Sequence, residues 1–211
     1  MKITLLLCLF AFSCARTAYT TKPTDGKDGS SITGPKGDAG VPGAGSQPGL
    51  ECQVYDSRSI DRSSGLFTIL NNATPKFTKI INQFDVGDSQ AASGFPKFTA
   101  QEQALVGTED YALDCSGYIN IPVSGYYSFR VLSDDGSKFA INDILLVDMD
   151  QLQAPTYGYA NNKVLYKGLN RINVLYFQGP LTQLSLRLDW KGPTSAGLST
   201  LQLIGNSYLT H

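Results

Sequence analysis

Two adjacent aspartates, Asp134 and Asp135, are the residues of this chain best suited to binding chemistry, and Gly136 follows them directly. Two ionised carboxylates side by side repel each other, and in a partly desolvated loop they need hydrogen-bond donors or a cation between them. Calcium is such a cation, because it takes many oxygen ligands with loose geometry. The same residues also suit a plain solvated hairpin turn, since Asp tolerates left-handed backbone angles and Gly adopts them freely. The pair therefore predicts either a calcium site or a turn.

Alternating apolar and polar residues on both sides of the pair predict strands that lead into it and out of it. Before the pair, Tyr127, Phe129 and Val131 alternate with polar residues. After the pair, Phe139 and Ile141 do the same. The aspartates are therefore expected on a strand-to-strand loop.

The chain from residue 50 to residue 211 is predicted to be one all-β domain, an antiparallel two-sheet β-sandwich. Short runs rich in Val, Ile, Phe, Tyr and Leu are separated by Gly, Pro, Asn and Asp clusters, without long helical periodicity. Regular turn spacing favours two sheets over one open sheet. Further strands are predicted at VYDSRSI, LFTILN, KFTKIINQFDV, KVLYKG and TLQLIG, starting at Val54, Leu66, Lys76, Lys163 and Thr200. Core residues are predicted on one face of a late strand, at Leu184, Leu186, Leu188 and Trp190.

The protective-antigen-type domain, a β-sandwich module of bacterial toxins, glycosidases and the yeast flocculin adhesins, is the family that this sequence resembles. The resemblance begins with GYINIPVSGYYSFRVLSDDGSKFAINDILLVD, Gly117 to Asp148. It resumes with GLNRINVLYFQG, Gly168 to Gly179, and LSLRLDWKGP, Leu184 to Pro193. The segments stand in the family's order, and the resemblance covers the chain from about Leu50 to its end.

The resemblance implies a function for the acidic pair. In the flocculins, two adjacent aspartates joined by a cis peptide hold a calcium ion, and the remaining positions of the ion bind sugar hydroxyls. Asp134 and Asp135 match that motif, so the resemblance implies calcium as the cofactor and these two residues as its ligands. Gln178 is the candidate third side chain, although the flocculins have asparagine at the end of that strand.

Two loops are expected to determine which ligand binds. One spans residues 179–183 and the other spans residues 150–162. The second loop carries Tyr157 and Tyr159, which are therefore candidate ligand-binding residues. Sugar identity depends on the shape of such loops, so the sequence names no particular sugar.

The first residues, MKITLLLCLFAFSCA, predict an export signal with an apolar run that is too short to span a bilayer. Cys14 after Ser13 resembles a bacterial lipoprotein signal, which predicts residues 1–13 as the signal and Cys14 as the lipidated first residue. Ordinary signal cleavage is the alternative. Either way the protein is expected outside the cytoplasm, at the envelope or outer membrane surface as a lipoprotein, or secreted.

Residues 14–49 predict an extended Gly/Pro/Ser-rich tether, because they contain too few apolar residues for a packed core. Glycine recurs at every third residue from Gly34 to Gly43. This spacing resembles a collagen-like tract, in which only Gly fits the axis of a triple helix, and it would make the protein a homotrimer. A flexible tether is the alternative, since the repeat is short and interrupted.

The cysteines predict one disulfide. Cys8 is lost with the signal, and Cys14 is either lost or lipidated. Cys52 and Cys115 remain as an even pair in an exported chain. Their bond is expected to tie the first strand of the domain to the strand before the acidic loop.

Enzyme motifs are missing from the sequence, and the protein is predicted not to be an enzyme. The single histidine, His211, is the last residue, which removes Ser-His and Cys-His nucleophile schemes. Adjacent carboxylates on one tight loop are poorly placed to flank a glycosidic bond from two sides. A net charge of -1 with scattered lysines also gives no basic stripe for nucleic acid.

The sequence therefore predicts a cell-surface adhesin or lectin. It would bind glycans on another cell or surface through the calcium-supported loop, with a lipid anchor in the membrane and a collagen-like stalk beneath the domain. The alternative is a structural or protein-binding head, such as a trimeric fibre tip, in which the acidic pair forms a plain turn. Calcium dependence separates these two functions.

Overall fold

Two antiparallel sheets packed face to face make up the domain. The structure is a computed structural model that describes residues 47–58, 70, 73–90, 94–180 and 183–211. It confirms the predicted all-β, two-sheet architecture. The predicted export signal, nearly all of the tether and most of the strand predicted at Leu66 lie outside the described residues.

The first sheet has the strand order β2-β1-β4-β9-β6-β7, with β12 paired to β4. Its strands are β1 (Leu50–Asp56), β2 (Phe77–Ile81), β4 (Tyr111–Ile121), β6 (Ser137–Ile141), β7 (Ile144–Met149), β9 (Gly168–Gln178) and β12 (Leu209–Thr210). The second sheet has the order β11-β10-β5-β8, with β3 paired to β10. Its strands are β3 (Asp85–Gln90), β5 (Gly125–Asp134), β8 (Thr156–Leu165), β10 (Gln183–Lys191) and β11 (Gln202–Leu203).

Side chains of both sheets meet in one large core. The predicted core face of β10 is confirmed, because Leu184, Leu186, Leu188 and Trp190 are each at most 1% exposed. The Trp190 ring packs against Tyr127 and Tyr208, with ring centroids 5.7 and 4.8 Å away. Burial of one such side chain contributes about 1.5–3 kcal/mol, so this core positions the loops at the sheet ends.

The predicted disulfide between Cys52 and Cys115 is confirmed. The two residues face each other on β1 and β4, with an S–S distance of 2.07 Å. The bond was expected to reach the strand directly before the acidic pair, and this was wrong. That strand is β5, whereas Cys115 lies on β4. The bond therefore fixes the pairing of two neighbouring strands in the first sheet.

One short helix, α1 (Ala100–Val106), was not predicted from the sequence. Two turns are too short to show the helical period that the prediction relied on. A capping box marks its start: Thr99 Oγ1 accepts a hydrogen bond from Glu102 N, and a Glu102 carboxylate oxygen accepts one from Thr99 N. Among the described residues, no helix is long and apolar enough to cross a membrane.

The link between β5 and β6 passes from one sheet to the other. β5 pairs with β8 and β10 in the second sheet, whereas β6 pairs with β7 and β9 in the first. The hairpin alternative for the acidic pair is therefore wrong, because the two flanking strands do not pair with each other. Asp134 and Asp135 lie at the crossing between the sheets.

Candidate functional site

The acidic pair is buried at one end of the sandwich. Asp134 is 6% exposed and Asp135 is 3% exposed. The peptide bond between them is cis, as the resemblance to the flocculins implied. Two buried carboxylates on successive residues repel each other unless donors or a cation compensate their charge.

Main-chain N–H groups orient the Asp135 carboxylate. Its Oδ1 accepts a hydrogen bond from Gln153 N at 3.1 Å, and its Oδ2 accepts one from Gly179 N at 2.6 Å. These donors come from the segment before β8 and from the loop after β9. A carboxylate oxygen has more than one lone pair, so a hydrogen bond to it does not by itself prevent it from binding a cation.

The Asp134 carboxylate has a different environment. Within the described ranges, no hydrogen-bond donor contacts its oxygens. Burial, then the negative charge of Asp135 and that of Asp88, raise the pKa of Asp134 to about 6. Across the sheet it faces Ser185, whose Oγ is buried without a hydrogen-bond partner in this part of the structure. Asp134 is thus a buried acid whose charge lacks compensation.

Position 136 needs a glycine because a side chain would not fit there, not because of its backbone conformation. A Cβ at this position would lie 2.8 Å from Met149 O and 2.9 Å from Gln151 O. Its φ is not positive, so the left-handed angle expected of a turn glycine was wrong. The Gly136 carbonyl also accepts a hydrogen bond from Phe177 N at 3.0 Å, which fastens the loop to β9.

Tyr176 and Gln178 support the pair from the end of β9. The Tyr176 hydroxyl lies 2.6 Å from Asp134 O and 2.7 Å from Gln178 Oε1, and its single proton can be donated to one of them. Burial raises the pKa of Tyr176 well above its ordinary value, which keeps the hydroxyl protonated. Gln178 Nε2 donates to Gln183 O at 2.9 Å and so links the end of β9 to the start of β10. Residues 181–182 of the predicted loop 179–183 lie outside the described residues.

Gln178 therefore lies beside the pair, as predicted, but its amide already makes hydrogen bonds. It is fully buried, and its Oε1 faces the Tyr176 hydroxyl. A carbonyl oxygen has a second lone pair, so a Tyr176 bond leaves one for a cation. Its role as a calcium ligand stays a prediction.

Tyr157 and Tyr159 lie on an edge strand instead of a loop. The segment predicted as loop 150–162 ends at residue 155, because β8 begins at Thr156. The two tyrosines are 45% and 58% exposed, and their ring centroids are 6.2 Å apart. Both line a groove of about 660 Å³ between β7 and β8.

Gln153 is a site residue that the sequence did not indicate. Its side-chain Nε2 lies 3.2 Å from Ser133 Oγ and 3.2 Å from Asp135 O, on either side of Asp134. It also lines the groove. A glutamine in a polar loop carries no sequence signal for such a role, and Asp88, which approaches the pair from β3, carries none either.

The side chains around the pair bear oxygen rather than sulfur or imidazole nitrogen, and few of them are charged. In residues 47–58, 70, 73–90, 94–180 and 183–211, no group of three or more His, Cys, Asp or Glu side chains is placed to hold a metal ion. Two carboxylates with neighbouring amide and main-chain oxygens remain. Calcium accepts such mixed oxygen ligands, whereas zinc and other transition metals prefer nitrogen and sulfur.

Comparison with protein families gives one result. The family model described as the PA14 domain matches residues 46–200. This range covers all of the strands named above except β11 and β12. A comparison with curated proteins found no match.

Several solved structures share the fold. The PA14 domain of the antifreeze protein MpAFP is 17% identical with a TM-score of 0.60, over 77% of this chain and 89% of that chain. The PA14 sugar-binding domain from an RTX adhesin is 18% identical with a TM-score of 0.58, over 78% and 99%. The Epithelial Adhesin 6 A domain from Candida glabrata, in complex with Galβ1-3GlcNAc, is 12% identical with a TM-score of 0.57, over 78% and 87%.

An anti-sigma factor domain-containing protein from Clostridium clariflavum is also similar. It is 23% identical with a TM-score of 0.59, and the match covers 84% of this chain. The chain spans about half the length of that protein, 52% of it, and 48% of a second protein of the same description. At these identities, the likeness to each solved structure shows a common fold.

Proposed function

The chain belongs to the PA14 domain family, and from this premise we propose that it is a surface adhesin that binds carbohydrate through a calcium ion at Asp134 and Asp135. The observation that carries the proposal is the Asp134 carboxylate. It is 6% exposed, adjoins a second buried carboxylate and is reached by no hydrogen-bond donor in the described residues. A bound cation would compensate this charge, and burial without compensation is costly.

The ligands that this chain offers fit calcium. Asp134 and Asp135 supply two charged groups, and Gln178 Oε1 is a neutral oxygen at the same end of the sandwich. Calcium takes more oxygen ligands than these residues provide, so positions are left for vicinal sugar hydroxyls. The protein residues hold and orient the ion, and the neighbouring loops select the sugar.

The comparisons support a binding function at the level of the family. The relatives include a sugar-binding domain from an adhesin and an adhesin domain in complex with a disaccharide. Together with the missing enzyme motifs, they support a binding protein rather than an enzyme. The alternative of a structural head with a plain acidic turn is less favoured, because such a turn would leave its carboxylates in solvent instead of burying both.

The position of the first described residues supports display on a surface. The segment from Gln47 hydrogen-bonds to the end of the chain, and β12 there pairs with β4 at Tyr118 and Ile119. The other end of β4 pairs with Gln178 beside the acidic pair, through Tyr111. Seven residues of strand separate the two positions, roughly 23 Å. A tether over 14–49, lipidated at Cys14 and trimeric through its collagen-like repeat, would thus join the domain away from its site.

A glycan array tests the proposal. The full chain is applied with millimolar calcium and then with EDTA, beside Asp134→Asn and the control Asp143→Asn. Asp143 is a half-exposed aspartate on the β6–β7 turn that pairs with Arg171. We expect wild type and the control to bind glycans only with calcium, and Asp134→Asn to bind none. Glycan binding that survives EDTA and Asp134→Asn would contradict the proposal, as would failure of wild type to bind any glycan.

A further inference from the structure

The open side of the sandwich carries a groove, and one of its lining residues, Gln153, also contacts the acidic pair. In the part of the chain that the structure describes, β7 pairs with β6 alone and β8 pairs with β5 alone, so both are edge strands. They flank the groove of about 660 Å³. The groove is large enough for more than one sugar ring, because ligand pockets of this volume hold molecules of drug size.

The groove presents both polar and aromatic groups. Lys138 Nζ lies 3.5 Å from Asp148 Oδ2 and 3.4 Å from Asp150 Oδ2. These groups line one wall, and the exposed rings of Tyr157 and Tyr159 line the other. Carboxylates and an ammonium exchange hydrogen bonds with sugar hydroxyls, and a tyrosine ring packs against the apolar face of a pyranose.

One ring of the aromatic wall, that of Tyr157, is held in place by a cation–π contact. The Arg130 guanidinium lies over the Tyr157 ring, 4.6 Å from its centroid. Asp189, whose side chain is fully buried, fixes that arginine through a 2.6 Å ion pair and also accepts a hydrogen bond from Arg187 at 2.9 Å. A ring held in this way loses little conformational freedom when a ligand binds, which favours affinity.

Gln153 connects the groove to the acidic pair. It lines the groove, its N–H donates to Asp135 Oδ1, and its side-chain amide lies 3.2 Å from Asp135 O. Gln153 is therefore the residue through which a ligand at the pair and a ligand in the groove would be neighbours.

We infer that the groove is a second subsite of the same glycan site and takes further sugar residues of an oligosaccharide whose first residue binds at the acidic pair. The inference rests on the proposed function. An extended peptide is the other ligand that edge strands accept, but it would bind through their main-chain groups. The groove offers paired charges and tyrosine rings, which favour a sugar.

The test compares matched mono-, di- and tetrasaccharides of the series bound on the array, by calorimetry on the full chain with calcium. Tyr159→Ala is the variant, Tyr159→Phe keeps the ring, and Tyr126→Ala is the control, since Tyr126 is 66% exposed on β5 and does not line the groove. We expect wild type to bind the tetrasaccharide more tightly than the monosaccharide. Tyr159→Ala should lose roughly tenfold of the tetrasaccharide affinity and none of the monosaccharide affinity.

The other results are distinguishable. If wild type binds the monosaccharide with calcium but gains nothing with chain length, or if Tyr126→Ala loses as much as Tyr159→Ala, the groove is not a subsite while the proposed function stands. Binding of an extended peptide in the groove, lost in Tyr159→Ala, would also overturn the inference. If no glycan binds at all, the proposed function and the inference fail together.

Discussion

Asp134 and Asp135 differ in the donors that reach them. Asp135 accepts hydrogen bonds from two main-chain N–H groups, whereas the Asp134 carboxylate is contacted by none in the described residues. The two acids also differ from ordinary surface carboxylates, because both are almost completely buried. Asp135 is thus oriented by the protein alone, and Asp134 is the acid whose charge a cation would compensate.

The pKa of Asp134 leads to a pH-dependent prediction. Because burial and the charge of Asp135 raise this pKa to about 6, the protonated form stabilises the fold, and the calcium-free domain should lose stability as pH rises through about 6. Calcium binds the ionised form, so its stabilising effect should shrink below about pH 6. Thermal melts at about pH 5 and about pH 7.5, with calcium and with EDTA, measure both trends. Asp134→Asn should remove both the pH dependence of the calcium-free stability and the pH dependence of the calcium effect. If calcium raises the melting temperature equally at the two pH values, the prediction is wrong.

Gly136 gives a prediction that depends on packing alone. A Cβ there would meet two main-chain oxygens within 3 Å, and main chain cannot move aside as a side-chain tip can. Gly136→Ala should therefore lower the free energy of unfolding by about 1–3 kcal/mol, measured by urea denaturation without calcium. Gly87→Ala is the control, because among the described residues no atom lies within 4 Å of its added Cβ. Equal stability of the two variants would show that the loop is not close-packed.

The disulfide joins two elements, and its removal has an expected cost. Cys52 and Cys115 are separated by 63 residues in sequence. Closing a loop of that length stabilises the fold by about 4 kcal/mol in the chain-entropy model. The double variant Cys52→Ala with Cys115→Ala should lose most of that free energy of unfolding in urea. A loss below about 1 kcal/mol would mean that the bond restricts the unfolded chain only slightly.

The elements were largely predictable where side-chain alternation is strong. The alternating residues before and after the acidic pair form β5 and β6, and the leucines of β10 lie in the core. The sequence did not reveal that β5 and β6 belong to different sheets, because alternation marks which face of a strand is buried but not which strand it pairs with. The place of Tyr157 and Tyr159 on β8 was missed because their exposed edge strand has polar neighbours.

At the site, the sequence indicated the two adjacent aspartates and missed the neighbouring residues Gln153 and Asp88. The two aspartates are adjacent in the sequence, and the resemblance to the flocculins predicted Gln178 near them. The roles of Gln153 and Asp88 arise from strand pairing and from loops that meet only in the folded domain. Such contacts have no periodic signature in the sequence.

The molecule as a whole has its candidate site at one end and its first described residues well away from it. This arrangement suits an anchored head. Cys14→Ser should release the protein from isolated membranes into the soluble fraction, because the lipid would be lost, and fractionation with an immunoblot measures this. Ala18→Ser, a substitution in the same tether, is the control and should stay membrane-bound. A wild-type protein that is already soluble, with a mature terminus beyond Cys14, would show ordinary signal cleavage.

Calcium titration of the full chain tests the central claim most directly. Calorimetry should show one calcium bound by wild type and by the Asp143→Asn control, and none bound by Asp134→Asn at the same concentrations, while circular dichroism shows all three folded. That result would assign the ion to the buried acidic pair. Calcium binding that is unchanged in folded Asp134→Asn, or wild type that binds no calcium at millimolar concentration, would contradict the claim.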